Sequence, residues 1–141
     1  MYVLDTDHVS LLEKKQTAES QRLLFRLTGV PPEEKATTII TFEEQMRGWM
    51  AWIAQARSLR EQVERYGYLN QALHRYCAGT VLDFDERAAE EFQRLKSARI
   101  RIGTMDLKIA AIALSHNATL LSRNLKDFSK VPDLNVEDWA A

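Results

Sequence analysis

Apolar residues in this chain fall into short runs and longer helical stripes that alternate along the sequence. Tyr2-Val3-Leu4 is a short apolar run that stops at Asp5, the pattern of a strand buried in the middle of a parallel sheet with an acid at its carboxyl end. Val9, Leu11 and Leu12 predict a turn of helix. Leu23, Leu24, Phe25 and Leu27 predict more helix, up to Gly29 and the Pro31-Pro32 break. The β-branched run from Ala36 to Thr41 predicts a second strand. From Phe42 the spacing turns helical, with Trp49, Trp52, Ile53 and Ala56 at i, i+3, i+4 and i+7. Leu59, Val63, Tyr66, Leu69, Leu73 and Tyr76 predict a further helix that ends near Gly79, with Gly67 a candidate interruption. Thr80-Val81-Leu82, Thr119 to Ser122 and Leu134-Asn135-Val136 complete the set of candidate strands. Asp85 is placed to cap a helix through Ala88, Phe92 and Leu95. Thr104 is placed to cap an apolar helix from Met105 to about His116, with Asn117 at its end.

Strands that alternate with helices imply an α/β fold, a three-layer α/β/α sandwich around a parallel sheet of four or five strands. No internal repeat or Gly/Ser linker divides the chain, so residues 1–141 are expected to form a single domain. Ligands in such folds gather at the carboxyl ends of the strands.

Composition narrows the picture. The 141 residues carry 19 Lys plus Arg against 20 Asp plus Glu, so no global field attracts a polyanion and any nucleic acid must be met by a local patch. Cys77 is the one cysteine, which excludes an internal disulfide or a cysteine zinc cluster and fits a reducing cytoplasm. The aliphatic stretch Ile109 to Leu114 falls far short of the roughly 20 residues a membrane span needs. Asp5 and Asp7 stand where a secretory signal would be basic and then apolar, so the expected location is cytoplasmic.

The candidate chemistry is acidic. Asp5 follows a strand, Glu44 lies one turn after another, Asp106 opens the apolar helix, and Asn124 and Asp127 follow the Thr119 strand. Carboxylates gathered on one sheet edge repel one another unless a cation sits among them, and oxygen-only donors favour magnesium or manganese over zinc. Metal-assisted phosphodiester hydrolysis follows naturally. Each acid also has a plainer explanation: Thr41 to Glu44 spells a capping box, Asp106 suits a helix N-terminus, and Asp127 suits a polar turn. Asp5 is the hardest to explain by packing.

Four segments together resemble the PIN-domain ribonucleases, and in particular the VapC-type toxins of bacterial toxin–antitoxin pairs. They are Leu4-Asp5-Thr6-Asp7, Ile40 to Gly48, Gly103 to Ala111, and Leu120 to Phe128 with Val136 to Trp139. The resemblance implies magnesium-dependent endonucleolytic cleavage of RNA, with manganese as an alternative ion. It makes Asp5, Asp106 and Glu44 the metal-site positions and Asn124 an orienting group. Where many relatives have a fourth acid, this chain has Asn124, and Asp127 is the candidate to supply that charge. Asp7 stands where the family usually has Asn. The resemblance further implies a small antitoxin partner and a homodimer. A housekeeping PIN nuclease in RNA maturation and a catalytically silent PIN-fold binding module are the alternatives.

Two rival chemistries are weaker. The segment Tyr2 to Val9 also resembles the first motif of haloacid-dehalogenase-like phosphatases, yet Asp106 lacks the acidic neighbour that those enzymes need. Metal-free cleavage by His8, His74 and His116 would require two of them to converge on one phosphate. For RNA contact the sequence offers Arg99 and Arg101, within a run from Arg94 that contains no acid, and Arg123 and Lys126 beside Asn124. These basics lack interleaved aromatics, so they do not predict base stacking. The Trp49/Trp52 stripe is expected either as helix core or as a partner surface.

Overall fold

Five parallel strands form one sheet among the residues described by a computed structural model, which are 1–14 and 16–141. β1 (Tyr2–Leu4) is central; β2 (Lys35–Thr38) and β3 (Val81–Leu82) extend the sheet on one side, β4 (Thr119–Leu121) and β5 (Asn135–Glu137) on the other. Tyr2 and Val3 pair with Lys35 and Ala36 across one edge of β1, and Leu4 lies opposite Leu121 across the other. The strand order therefore reverses at β1, which opens a crevice at its carboxyl end.

Successive strand side chains point to opposite faces, so each strand feeds two cores. Val3 and Leu120 enter one, Leu4 and Leu121 the other. The Leu4 face is covered by α1 (Thr6–Lys14) and α2 (Ala18–Thr28) through Leu11, Leu23 and Leu27, with Trp139 and Ala140 closing it from the chain's end. The Val3 face takes Ile40 of α3 (Ile39–Ala54). α4 (Leu59–Ala78) packs on α3 rather than on the sheet, with Ala72 its buried residue. α5 (Glu86–Ser97), α6 (Thr104–Ser115) and α7 (Leu125–Phe128) complete the Val3 side. Ile109 to Ala113 of α6 are all buried, as expected of a helix apolar on every side. The result is the three-layer sandwich that the alternation of elements predicts.

Boundaries shift in ways that matter for function. β2 ends at Thr38 rather than Thr41 because the Thr38 hydroxyl accepts the Thr41 N–H at 3.0 Å and starts α3 there. The Thr41–Glu44 capping box does not form, and Glu44 is free for other work. α6 starts at Thr104 after Gly103, without the threonine side-chain cap. α4 runs unbroken through Gly67, Asp85 caps α5 at 2.9 Å, and Asn117 turns left-handed after α6 at φ 51°. No helix among the described residues is long and apolar enough to cross a membrane.

Candidate active site

The carboxyl edge around β1 collects the acids. The backbone N–H of Asp5 donates to Leu121 O at 2.9 Å, so the β1/β4 ladder continues one step beyond the strands and sets residue 5 beside residue 122. The Asp5 side chain, 5% exposed, accepts the Thr6 N–H at 2.8 Å on Oδ1 and the Ser122 hydroxyl at 2.8 Å on Oδ2. Glu44, one turn into α3, accepts the Thr6 hydroxyl at 2.8 Å. Asp106, in the first turn of α6, and Asp127 of α7 are bridged by the Asn124 amide, at 3.4 and 3.1 Å. Five sequence-chosen residues from four segments thus share one edge, with Asp127 the most outlying and also held by Lys130 at 3.4 Å.

The electrostatics show a negative cluster in which Asp127 has a lysine partner while the more buried Asp5 and Asp106 face other acids. Burial, with the neighbouring charges of Asp7 and Asp106, pushes the Asp5 carboxyl up to about 7 despite its two hydrogen bonds. Burial, with Glu44, Asp127 and Asp7 facing it, likewise holds Asp106 above the ordinary carboxylate range. Asp127 moves the other way, held low by the Asn124 amide and Lys130. An amide at position 124 donates to two acids, where a carboxylate would have repelled both.

A supporting layer was not legible residue by residue. Ser122 is fully buried; its hydroxyl also lies 3.3 Å from Asp7, whose carboxylate accepts the Arg123 N–H at 3.0 Å. The fully buried His8 donates from Nδ1 to Asp7 at 2.8 Å, while Nε2 accepts the Trp139 N–H at 3.3 Å. Asp7 is therefore occupied as a hub that ties β1, the 122–124 turn and the C-terminal segment together, which leaves the phosphatase-like role for it without support. The usable signal for Ser122 was register, because a residue after β4 must lie beside the residue after β1. Nor do the histidines converge: His8 is locked in place, and His116 ends α6 at the end opposite Asp106.

The basic residues divide. Arg94 pairs with Glu91 at 2.6 Å, Lys96 lies over Phe92 and Lys108 over Phe84, so these three serve their own surroundings. Lys130 reaches Arg101 O at 3.5 Å as well as Asp127, which brings the Arg101 loop to the acidic edge. Arg99 sits at φ 58° in the turn after α5, and Arg123 lies half-exposed, 4.0 Å from Asp138.

Among the described residues, no three His, Cys, Asp or Glu side chains converge tightly enough to form a metal cage. The donors gathered at this edge, the carboxylates of Asp5, Glu44 and Asp106 with the Asn124 amide, are all of the hard oxygen type that suits magnesium or manganese. The raised Asp5 and Asp106 carboxyls are the groups that a hydrated divalent ion would relieve.

The family described as PIN domain matches residues 2–134. Ribonuclease VapC1 of Haemophilus influenzae strain R2866 is 26% identical over 143 residues, covering 99% of this chain and 98% of that protein. Ribonuclease VapC2 of Rickettsia felis is 33% identical over 63 residues, covering 42% of this chain and 47% of the relative. The solved structure of VapBC-1 from nontypeable Haemophilus influenzae superposes with a TM-score of 0.71 at 25% identity, covering 99% of this chain and 98% of that one.

Proposed function

The chain belongs to the PIN-domain family, and on that premise we propose that it is a metal-dependent endoribonuclease acting as the toxin of a toxin–antitoxin pair. The observation that carries the proposal is the convergence of Asp5, Glu44 and Asp106 at the β1 switch point, where burial and mutual repulsion raise two of the three. Full-length similarity to a protein named ribonuclease supports the reaction class.

In this reading Asp5, Asp106 and Glu44 would hold a divalent ion, magnesium or in its place manganese. Such an ion supplies a Lewis acid for the scissile phosphate and lowers the pKa of the attacking water. The protein's own part is positioning. Ser122 and the Thr6 N–H fix both oxygens of Asp5, the Thr6 hydroxyl aims Glu44, and Asn124 holds Asp106 against Asp127. Arg101, whose loop Lys130 ties to Asp127, and Arg123 and Lys126, in the turn and helix around Asn124, would contact the RNA backbone in this reading, together with Arg99.

The antitoxin has a candidate seat on the far side of α1. A groove of about 320 Å³ between α1, α2, β2 and α4 is lined mainly by apolar side chains, including Leu12, Leu24, Leu27 and Val81. Phe25 beside it is 80% exposed. Such a surface suits an amphipathic helix. For the homodimer, Ile39, Met46 and Met50 line an apolar depression on α3, and solution mass tests that pairing.

The deciding experiment is cleavage by pure protein. Magnesium-dependent cutting that EDTA abolishes, and that Asp106→Asn loses while still binding RNA, supports the site. Undiminished cutting by Asp5→Asn and Asp106→Asn refutes it. A small reading frame directly upstream separates the toxin from a housekeeping nuclease.

A further inference from the structure

A groove leaves the acidic edge along α3. Glu44, Gly48 and Trp52 follow one another at one-turn intervals, and Thr6 and Ser10 of α1 form the facing wall. Its volume is about 470 Å³, within the roughly 300–1,000 Å³ of small-ligand sites. The far end is aromatic. The Trp49 and Trp52 rings lie 5.4 Å apart, Tyr68 of α4 lies parallel to Trp49 at 14°, and the Arg65 guanidinium covers Trp52 at 4.7 Å. Trp49 and Trp52 are only half-buried and line the groove, so they serve neither purely as helix core nor as a flat surface patch.

Gly48 is the informative residue. A glycine inside a helix is destabilising relative to alanine, yet nothing lies within 4 Å of where its Cβ would sit, so packing does not require it. What the missing side chain preserves is the open floor between Glu44 and Trp52. The eight-residue step from Glu44 to Trp52 rises about 12 Å along the helix, short enough for nucleotides next to a cleaved bond to bridge. Of the two acids that line the groove, Glu13 is compensated by Arg75 at 3.0 Å, and Glu44 belongs to the edge where the divalent ion of the ribonuclease reading would offset it.

We propose that Trp49, Trp52 and Tyr68 form a nucleobase subsite, which stacks an unpaired base of the RNA strand whose phosphodiester lies at the Asp5/Asp106 edge. The proposal rests on the ribonuclease reading above and adds to it. Aromatic faces stack bases with little sequence preference, and a base must be splayed out of its helix to be reached. Phosphates would then run along the Arg123 and Lys126 side while the base turns to the α3 side. The groove suits a base: its aromatic end offers ring faces, and beside them Ser10, whose hydroxyl oxygen accepts the Gln45 amide at 3.3 Å, and Gln45 itself place polar groups within reach of a base edge, while the Thr6 hydroxyl is committed to Glu44.

The test uses the full chain carrying Asp106→Asn, so that RNA is bound without being cut, and a short labelled single-stranded RNA of mixed sequence. RNA should quench tryptophan emission, with Trp139 buried and contributing little. Trp49→Leu and Trp52→Leu should each weaken binding roughly five- to hundredfold, and Trp52→Phe should recover most of it. In the active background Gly48→Leu, which fills open space without touching the fold, should raise KM more than it lowers kcat. Unchanged affinity in both leucine variants together with unchanged KM for Gly48→Leu overturns the subsite and leaves the ribonuclease intact. A wild-type chain that neither binds nor cuts RNA overturns both. Quenching by an antitoxin peptide and not by RNA overturns the base assignment in favour of a protein occupant.

Discussion

Replacing Asp5 by Asn should separate stability from activity. The Asp5 carboxyl is raised from 3.8 to about 7 by burial and by Asp7 and Asp106. Across that window the folded protein keeps a proton that the unfolded chain has released, so stability falls as pH rises and the full loss is present above 7. At 1.36 kcal/mol per pH unit, the shift corresponds to about 4 kcal/mol at pH 8 without metal. Asparagine resembles the protonated acid. Its Oδ1 can still accept the Thr6 N–H, and its amide can donate to Ser122, whose hydroxyl then turns to Asp7. Relative to wild type, Asp5→Asn should therefore gain about 3 kcal/mol more at pH 8 than at pH 5, or roughly 10 °C in melting temperature at this chain length. Urea and thermal unfolding in EDTA at the two pH values measure this, and magnesium at pH 8 should narrow the gap by stabilising wild type alone. A gap that is constant with pH, or reversed, would refute the picture of an unrelieved buried charge. Cleavage should be lost in either case.

Three other expectations follow from single contacts. Thr38→Ala removes the cap that starts α3 and should cost about 1–2 kcal/mol in urea unfolding, with a fall in kcat because Glu44 loses its anchor point. His8→Ala empties a fully buried place, leaves the buried Trp139 N–H without its acceptor and takes one partner from the partly exposed Asp7, and should cost about 2–4 kcal/mol; a change below about 0.5 kcal/mol in urea would contradict the hub. RNA binding should weaken with salt, and Arg123→Ala should reduce the slope of log K against log salt by about 0.7, read by fluorescence anisotropy; an unchanged slope would remove Arg123 from the phosphate path.

Particular residues show where sequence reasoning reached and where it stopped. Asp5 was legible because an acid directly after a buried strand has little to do in packing. Glu44 was ambiguous: Thr41 spelled a capping box, and only the competing cap at Thr38, reached through the β2 register, released it. Asn124 looked like a deficit from sequence, a missing charge. In three dimensions it lies between two carboxylates, where an amide satisfies what a further acid would have strained. The Trp49/Trp52 stripe carried a helical period but no indication of its neighbours, because α4 and Tyr68 reach it from elsewhere in the chain.

The order of short apolar runs and amphipathic stripes determined, without coordinates, a parallel α/β sandwich with acids at its strand ends, since periodicity and β-branching are local properties of the chain. Tertiary structure alone decided which acids share an environment, that His8 and Ser122 support them, and that a glycine keeps a groove open beside them. Those depend on register and on packing between distant segments, and the charge on Asp5 is perturbed only once the fold has removed water and brought Asp7 and Asp106 close.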